Sequence, residues 1–131
     1  REVMNRMYKN HIRGLSGNDD CGQMSAWYLF TAMGFYPVCP GTDQYVLGAP
    51  YLPYLKISLS NGKIFEIKAE GVSDKKRYVK SVRLNGVPYH KMYITHSDIL
   101  KGGVLEFVMS ASPNKKRGQE LVDKPYSLTS R

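Results

Sequence analysis

The sequence predicts a mixed α and β fold: an N-terminal helical segment followed by a mainly antiparallel β-sheet or small β-sandwich. Apolar residues recur at helical spacing in residues 2–11 and 23–35, whereas after residue 40 short segments alternate apolar with polar residues between turn signals. A length of 131 residues with 42% hydrophobic and 11% aromatic content supplies material for one core.

In the first segment Val3, Met4, Met7 and Tyr8 fall on one helical face. In the second, Met24, Ala26, Trp27, Tyr28, Leu29, Phe30, Ala32 and Met33 leave almost no polar face. A helix this apolar is expected to be buried on most sides, within a multi-helix body larger than this chain supplies. Gly34 ends it, and Pro37 and Pro40 prevent an early restart. The stretch LKISL, an Asn61-Gly62 turn and IFEIKA then read as a hairpin over residues 55–69. Residues 78–84 alternate as YVKSVRL, Asn85-Gly86 turns into a strand over 87–94, and VLEFVM at 104–109 closes the series. Thr95 to Asp98 before Ile99-Leu100 has the pattern of a short capped helical turn stopped by Gly102-Gly103. From Ser112 onward the composition is polar and charged, which predicts a loose tail. The resulting division is 1–40 helical, 41–112 β-rich and 113–131 a polar tail.

Composition excludes several classes of function. The net charge of +8 invites a nucleic-acid reading, but the positive residues spread along the whole chain. The dense runs, Lys75 to Arg77 and Lys115 to Arg117, lie beside turn formers and read as solvated loops, so no nucleic-acid partner is predicted. No apolar run approaches the roughly 20 residues of a membrane span, and REVMNRMYKN lacks the pattern of a signal peptide. The chain opens inside a helical pattern without a methionine, which reads as a piece of a longer protein. Cys21 and Cys39 bracket a helix roughly 20 Å long and are expected as free thiols. His11, His90 and His96 show no ligand spacing, so no metal site is predicted within the chain.

The chemistry concentrates in GLSGNDDCGQ, residues 14–23. Asn and Asp are preferred N-caps, and negative charge is favoured at a helix N-terminus. One aspartate would satisfy that need. Two in succession, between Gly17 and Gly22, leave open a carboxylate site on a loop held by a rigid helix, beside the capping role that the residues favour. Such a site is limited by geometry. Glycoside hydrolysis uses two carboxyls about 5 to 9.5 Å apart on opposite sides of the scissile bond, and adjacent aspartates lie on one side. An ionised carboxylate at a helix N-terminus suits a base and not a general acid. Glu66, Glu70 and Glu106 alternate with apolar residues and are expected on exposed sheet faces rather than as the missing acid.

The string GNDDCGQMSAWYLFTAMGFYPVCPG, with YVLGAPYLPYLKISL and VRLNGVPYHKMYITHSDILKGG, closely resembles the C-terminal end of the bacterial α-mannosidases of glycoside hydrolase family 92. The resemblance runs over residues 14–112. It implies a calcium-dependent, exo-acting parent enzyme that removes α-linked mannose from glycans with inversion. It also implies that residues 2–35 are the last helices of an (α/α)6 barrel and that the strands after Tyr45 are the closing β-region. Asp20 matches the general base, with Asp19 supporting it. Asn18 becomes a substrate-side polar group, and Gln23 a brace for the loop or a plain helix-surface residue. The family's general acid is a glutamate upstream of this motif, so the isolated chain is expected to be inactive and to lack a complete calcium site. The partners implied are mannose-containing glycans and the N-terminal domains of the parent, in a periplasmic, outer-membrane-anchored or secreted location. The alternative is a non-catalytic carbohydrate-binding or structural β-domain, in which Tyr51, Tyr54, Tyr78, Tyr89 and Tyr93 stack on sugars or pack the sheet.

Overall fold

Backbone hydrogen bonding decides where the helical segment ends. In the computed structural model, which describes residues 1–129, helix α1 spans Glu2–Met7 and stops short of residue 11. Tyr8 turns extended at φ −120 and ψ 131, and the Lys9 N–H is donated to the Gly14 carbonyl at 2.8 Å, closing a tight loop that the periodic pattern does not reveal. A Cβ at position 14 would run into the Lys9 and His11 carbonyl oxygens, so the loop closes only around glycine.

Helix α2 spans Gln23–Met33. Gly34 caps its C-terminus at φ 89 and donates its N–H to Phe30 and Thr31 carbonyls, both at 3.1 Å. The helix thus ends at Gly34 as the sequence predicts, and Phe35 starts a strand. Of the α2 side chains only Ala32 is buried, and Leu29 is 62% exposed.

Eight strands follow among the described residues: β1 (Phe35–Tyr36), β2 (Gln44–Leu47), β3 (Tyr54–Ser58), β4 (Ile64–Lys68), β5 (Tyr78–Leu84), β6 (Val87–Pro88), β7 (Tyr93–Thr95) and β8 (Gly103–Ser110). A short helix, α3 (His96–Leu100), precedes β8. One sheet has the order β1-β2-β7 and the other β3-β4-β8-β5-β6. The first hairpin forms as the sequence predicts, with Ile57 opposite Phe65 and Lys56 opposite Glu66. Every neighbouring pair is antiparallel except β4 with β8, which is parallel.

The strand expected over residues 87–94 is split between the two sheets. Pro88 has no N–H with which to extend the ladder, and after the Tyr89 N–H reaches the Val82 carbonyl at 2.9 Å the chain crosses to pair with β2. The capped turn before β8 is present as a capping box. Thr95 Oγ1 accepts from the Asp98 N–H, and the Asp98 carboxylate accepts from the Thr95 N–H.

The two sheets and α3 share one core. Phe65, Ile67, Leu105, Phe107, Met109 and Val82 from the larger sheet cluster with Phe35, Leu47 and Ile94 from the smaller and with Ile99 of α3. The segment after Ser112 is polar but not loose. Asn114 Nδ2 donates to the Lys80 carbonyl, Arg117 Nη2 to the Lys91 carbonyl, Met92 N to Asp123 O in a 3-10 turn at Leu121–Asp123, and Tyr126 N to Gln44 Oε1. Arg117 is accordingly half-buried, a correction to its reading as part of a solvated run. Lys115, Lys116 and residues 75–77 are exposed.

Gly34 joins the helical segment to the sheets. A Cβ there would lie 2.9 Å from the Pro50 nitrogen, in a backbone conformation that side chains rarely adopt. Gly34→Ala should therefore destabilise the fold by about 2 kcal/mol or more, read as a lowered midpoint in thermal denaturation. An unchanged midpoint would show that this junction does not constrain the fold.

Candidate functional site

The loop between α1 and α2 is built from both ends. On the α1 side, Tyr8 pairs with Leu15 in an isolated antiparallel bridge. Its hydroxyl is donated to the Met24 carbonyl at 3.0 Å, and its ring stacks on Trp27 at 5.6 Å and lies tilted against Tyr28 at 4.9 Å. On the α2 side, Asp20, Cys21 and Gly22 are three consecutive left-handed residues, at φ 41, 61 and 87. Two of them are not glycine, and such a conformation costs on the order of 1–3 kcal/mol per residue unless the surroundings hold it.

Asp19 holds it. Its two carboxylate oxygens accept from the Ser25 N–H at 2.9 Å and the Ser25 hydroxyl at 2.8 Å. Its carbonyl accepts from the Gln23 N–H at 2.8 Å. These contacts serve the unpaired donors at the start of α2, although the formal N-cap position is Gly22 and makes no side-chain cap. The Ser25 N–H and then its hydroxyl hold the Asp19 carboxyl below the ordinary aspartate value of 3.8, so it is ionised at neutral pH.

Asp20 is placed differently. It is exposed, and among the described residues its carboxylate has no hydrogen bond or ion pair. The strained run leaves it presented at the loop's tip with both oxygens available. Asn18 and Gln23 are also exposed and their side chains make no hydrogen bond among the described residues, although the Gln23 N–H closes the turn. The structure thus sets Asn18, Asp19 and Asp20 on the loop and Gln23 at the start of α2, and of their four side chains only that of Asp19 anchors the turn. Ser25 and Tyr8, not singled out as site residues from the sequence, are the loop's other supports. A serine six positions after an aspartate carries no recognisable signal, because the contact depends on the left-handed turn between them.

Cys21 and Cys39 are both free thiols. Among the described residues no group of three or more His, Cys, Asp or Glu side chains is gathered closely enough to hold a metal ion. Among the described residues no helix is long and apolar enough to cross a membrane.

Residues 1–111 match the glycosyl hydrolase family 92 catalytic domain. The chain is 46% identical to a family 92 α-mannosidase from Bacteroides thetaiotaomicron solved in complex with mannoimidazole, with a TM-score of 0.91 over 97% of this chain and 17% of that one. It is 40% identical to a family 92 inverting mannosidase from the same organism, with a TM-score of 0.88 over 96% of this chain and 17% of that one. It is also 31% identical, over 78% of its length and 14% of the relative's, to an uncharacterised secreted glycosidase from Arthroderma benhamiae. The chain therefore spans about a sixth of the length of these structures.

Asp19 has a depressed carboxyl pKa, so its contribution is present above the unfolded value and is lost as pH falls through the lower folded value. Hydrogen-exchange protection of the Ser25 amide should hold from neutral pH to below pH 3.8 and then collapse. In Asp19→Ala it should be lost at every pH. Protection that persists in Asp19→Ala would remove Asp19 as the anchor.

Proposed function

The chain belongs to glycosyl hydrolase family 92, and from that premise we propose that it is the C-terminal part of an exo-α-mannosidase and carries the enzyme's general base, Asp20. The observation that supports this most directly is the division of labour between adjacent aspartates. Asp19 is fully engaged in holding a strained turn, and that turn leaves Asp20 exposed and unpartnered. Backbone strain without a structural return is the pattern of a functional site.

In an inverting hydrolysis the Asp20 carboxylate takes a proton from water as that water attacks the anomeric carbon, on the face opposite the departing oxygen. A second carboxyl, about 6.5–9.5 Å away, protonates the leaving oxygen. The resemblance assigns that acid to a glutamate upstream of this chain. The relative described as inverting supports the same stereochemistry. Asn18 is on the substrate side of the loop and orients water or sugar. Gln23 acts through its backbone N–H, which fixes the turn, and Asp19 keeps Asp20 in position.

Calcium, which the resemblance implies, does not fit a site made by this loop alone. The ion takes six to eight oxygen ligands, and both Asp19 oxygens are committed to Ser25. The ion's ligands therefore belong chiefly to other segments of the parent. Residues 2–35 contribute the last helices of the barrel, and the exposure of Leu29, Val3 and Met7 fits a face that packs on the remaining helices. The secreted relative supports an exported parent enzyme.

Two measurements test the reading. In the full-length enzyme Asp20→Asn should lower turnover of an α-mannobioside by about 10²–10⁴-fold, because it removes the proton acceptor and preserves size. The purified 131-residue chain should show no turnover with calcium present. Near-normal activity of the variant would sink the assignment of the base, and turnover by the isolated chain would sink the claim that the acid lies elsewhere.

A further inference from the structure

The larger sheet turns a second face away from the core, and across it one row of side chains runs from strand to strand. Tyr54 of β3 pairs in register with Lys68 of β4, Lys68 with Glu106 of β8, and Glu106 with Arg83 of β5. With strands about 4.8 Å apart the row is about 14 Å long. Together with Glu70 and Lys76 it lines an open groove of ≈ 700 Å³.

The groove is not closed by its own charges. Lys68 Nζ lies 3.4 Å from Glu66 Oε2, but Arg83 and Glu106, directly opposite each other, form no ion pair. Among the described residues the side chains of Tyr54, Glu70, Lys76, Arg83 and Glu106 have no hydrogen-bond or ion-pair partner. On an ordinary solvent face, opposite charges directly across a ladder would gain by pairing.

With Lys68 taken up by Glu66, the unpaired groups are two cations and two carboxylates. An anionic ligand would meet Glu70 and Glu106, and a cationic one would meet Lys76 and Arg83. A neutral polyhydroxyl ligand satisfies both kinds, accepting from the bases and donating to the carboxylates. Tyr54, 49% exposed at the end of the row, adds a flat apolar face for a pyranose ring. The other candidate tyrosines are occupied. Tyr51 donates to Asn5 Oδ1 with the Arg1 guanidinium over its ring, Tyr78 lies under Arg77, Tyr93 under Lys91, and Tyr89 donates to the Tyr93 carbonyl. Burial pushes the Tyr89 phenol up to about 12, in keeping with a structural role.

We propose that this groove is a second saccharide-binding site, separate from the Asp20 loop. It holds a neutral oligosaccharide by stacking on Tyr54 and by hydrogen bonds to Glu70, Lys76, Arg83 and Glu106. That the oligosaccharide is an α-mannoside rests on the function proposed above; the groove chemistry itself does not.

The test is titration of the ¹⁵N-labelled chain with α-mannotriose, followed by amide shifts. The largest shifts should fall on Tyr54, Lys68, Arg83 and Glu106. Tyr54→Ala should weaken binding about tenfold, whereas Tyr54→Phe, which keeps the ring, should bind as the unsubstituted chain does. The amide spectrum of each variant reports whether it is folded. Shifts confined to residues 18–23, no shifts at all, or unchanged affinity in folded Tyr54→Ala would overturn the groove. The assignment of the base would be untouched by any of these, since it stands or falls on turnover by Asp20→Asn in the full-length enzyme.

Discussion

The parallel pairing of β4 with β8 is the contact on which the other elements depend. Phe65, Ile67 and Leu105 on these strands are 0% exposed and Phe107 is 3% exposed. Each such side chain contributes about 1.5–3 kcal/mol of burial. Parallel strands cannot be joined by a hairpin, so the chain must leave after β4 and return before β8. On that excursion it lays down β5 beside β8 and β6 beside β5, gives β7 to the smaller sheet, and seats Ile94 and Ile99 over the inner face. The first hairpin adds β3 on the other side.

The helical segment is attached to this body by a few close contacts. Gly34 approaches Pro50, the Tyr51 N–H is donated to the Ala32 carbonyl at 3.0 Å, and Phe30 packs on Phe35 and Tyr45. Helix α2 is thereby fixed at its C-terminal end, while its N-terminal end carries the loop. Rigid support at one end and a strained, hydrogen-bonded turn at the other suit a residue whose position must be held. Anchoring by Asp19 and the base role proposed for Asp20 are not competing explanations for the two aspartates. The one that anchors the turn, Asp19, makes it possible for the other to stand free.

The outer face of the larger sheet obeys a different logic. Its inner side chains are chosen by burial, but Tyr54, Lys68, Glu106 and Arg83 are aligned by register alone. They come from four strands, and no two of them are neighbours in sequence. A surface of this kind exists only once the parallel pair has set β3, β4, β8 and β5 side by side.

The sequence by itself determined the local elements: the hairpin at Asn61-Gly62, the full extent of β5, the capping box at Thr95 and Asp98, and the end of α2 at Gly34. These depend on periodicity, turn chemistry and caps, all of which act within a few residues. The family resemblance of GNDDCGQMSAWY was also legible, because a long string of uncommon residues needs no fold to be read. Tertiary structure decided the early end of α1, the split of residues 87–94 at Pro88, the seating of the tail through Arg117 and Asp123, and the parallel β4–β8 register. It also decided which aspartate anchors and which is free. Each of these turns on a loop closure, a missing proline N–H, a left-handed turn or partners distant in sequence, and none of them leaves a periodic trace in the chain.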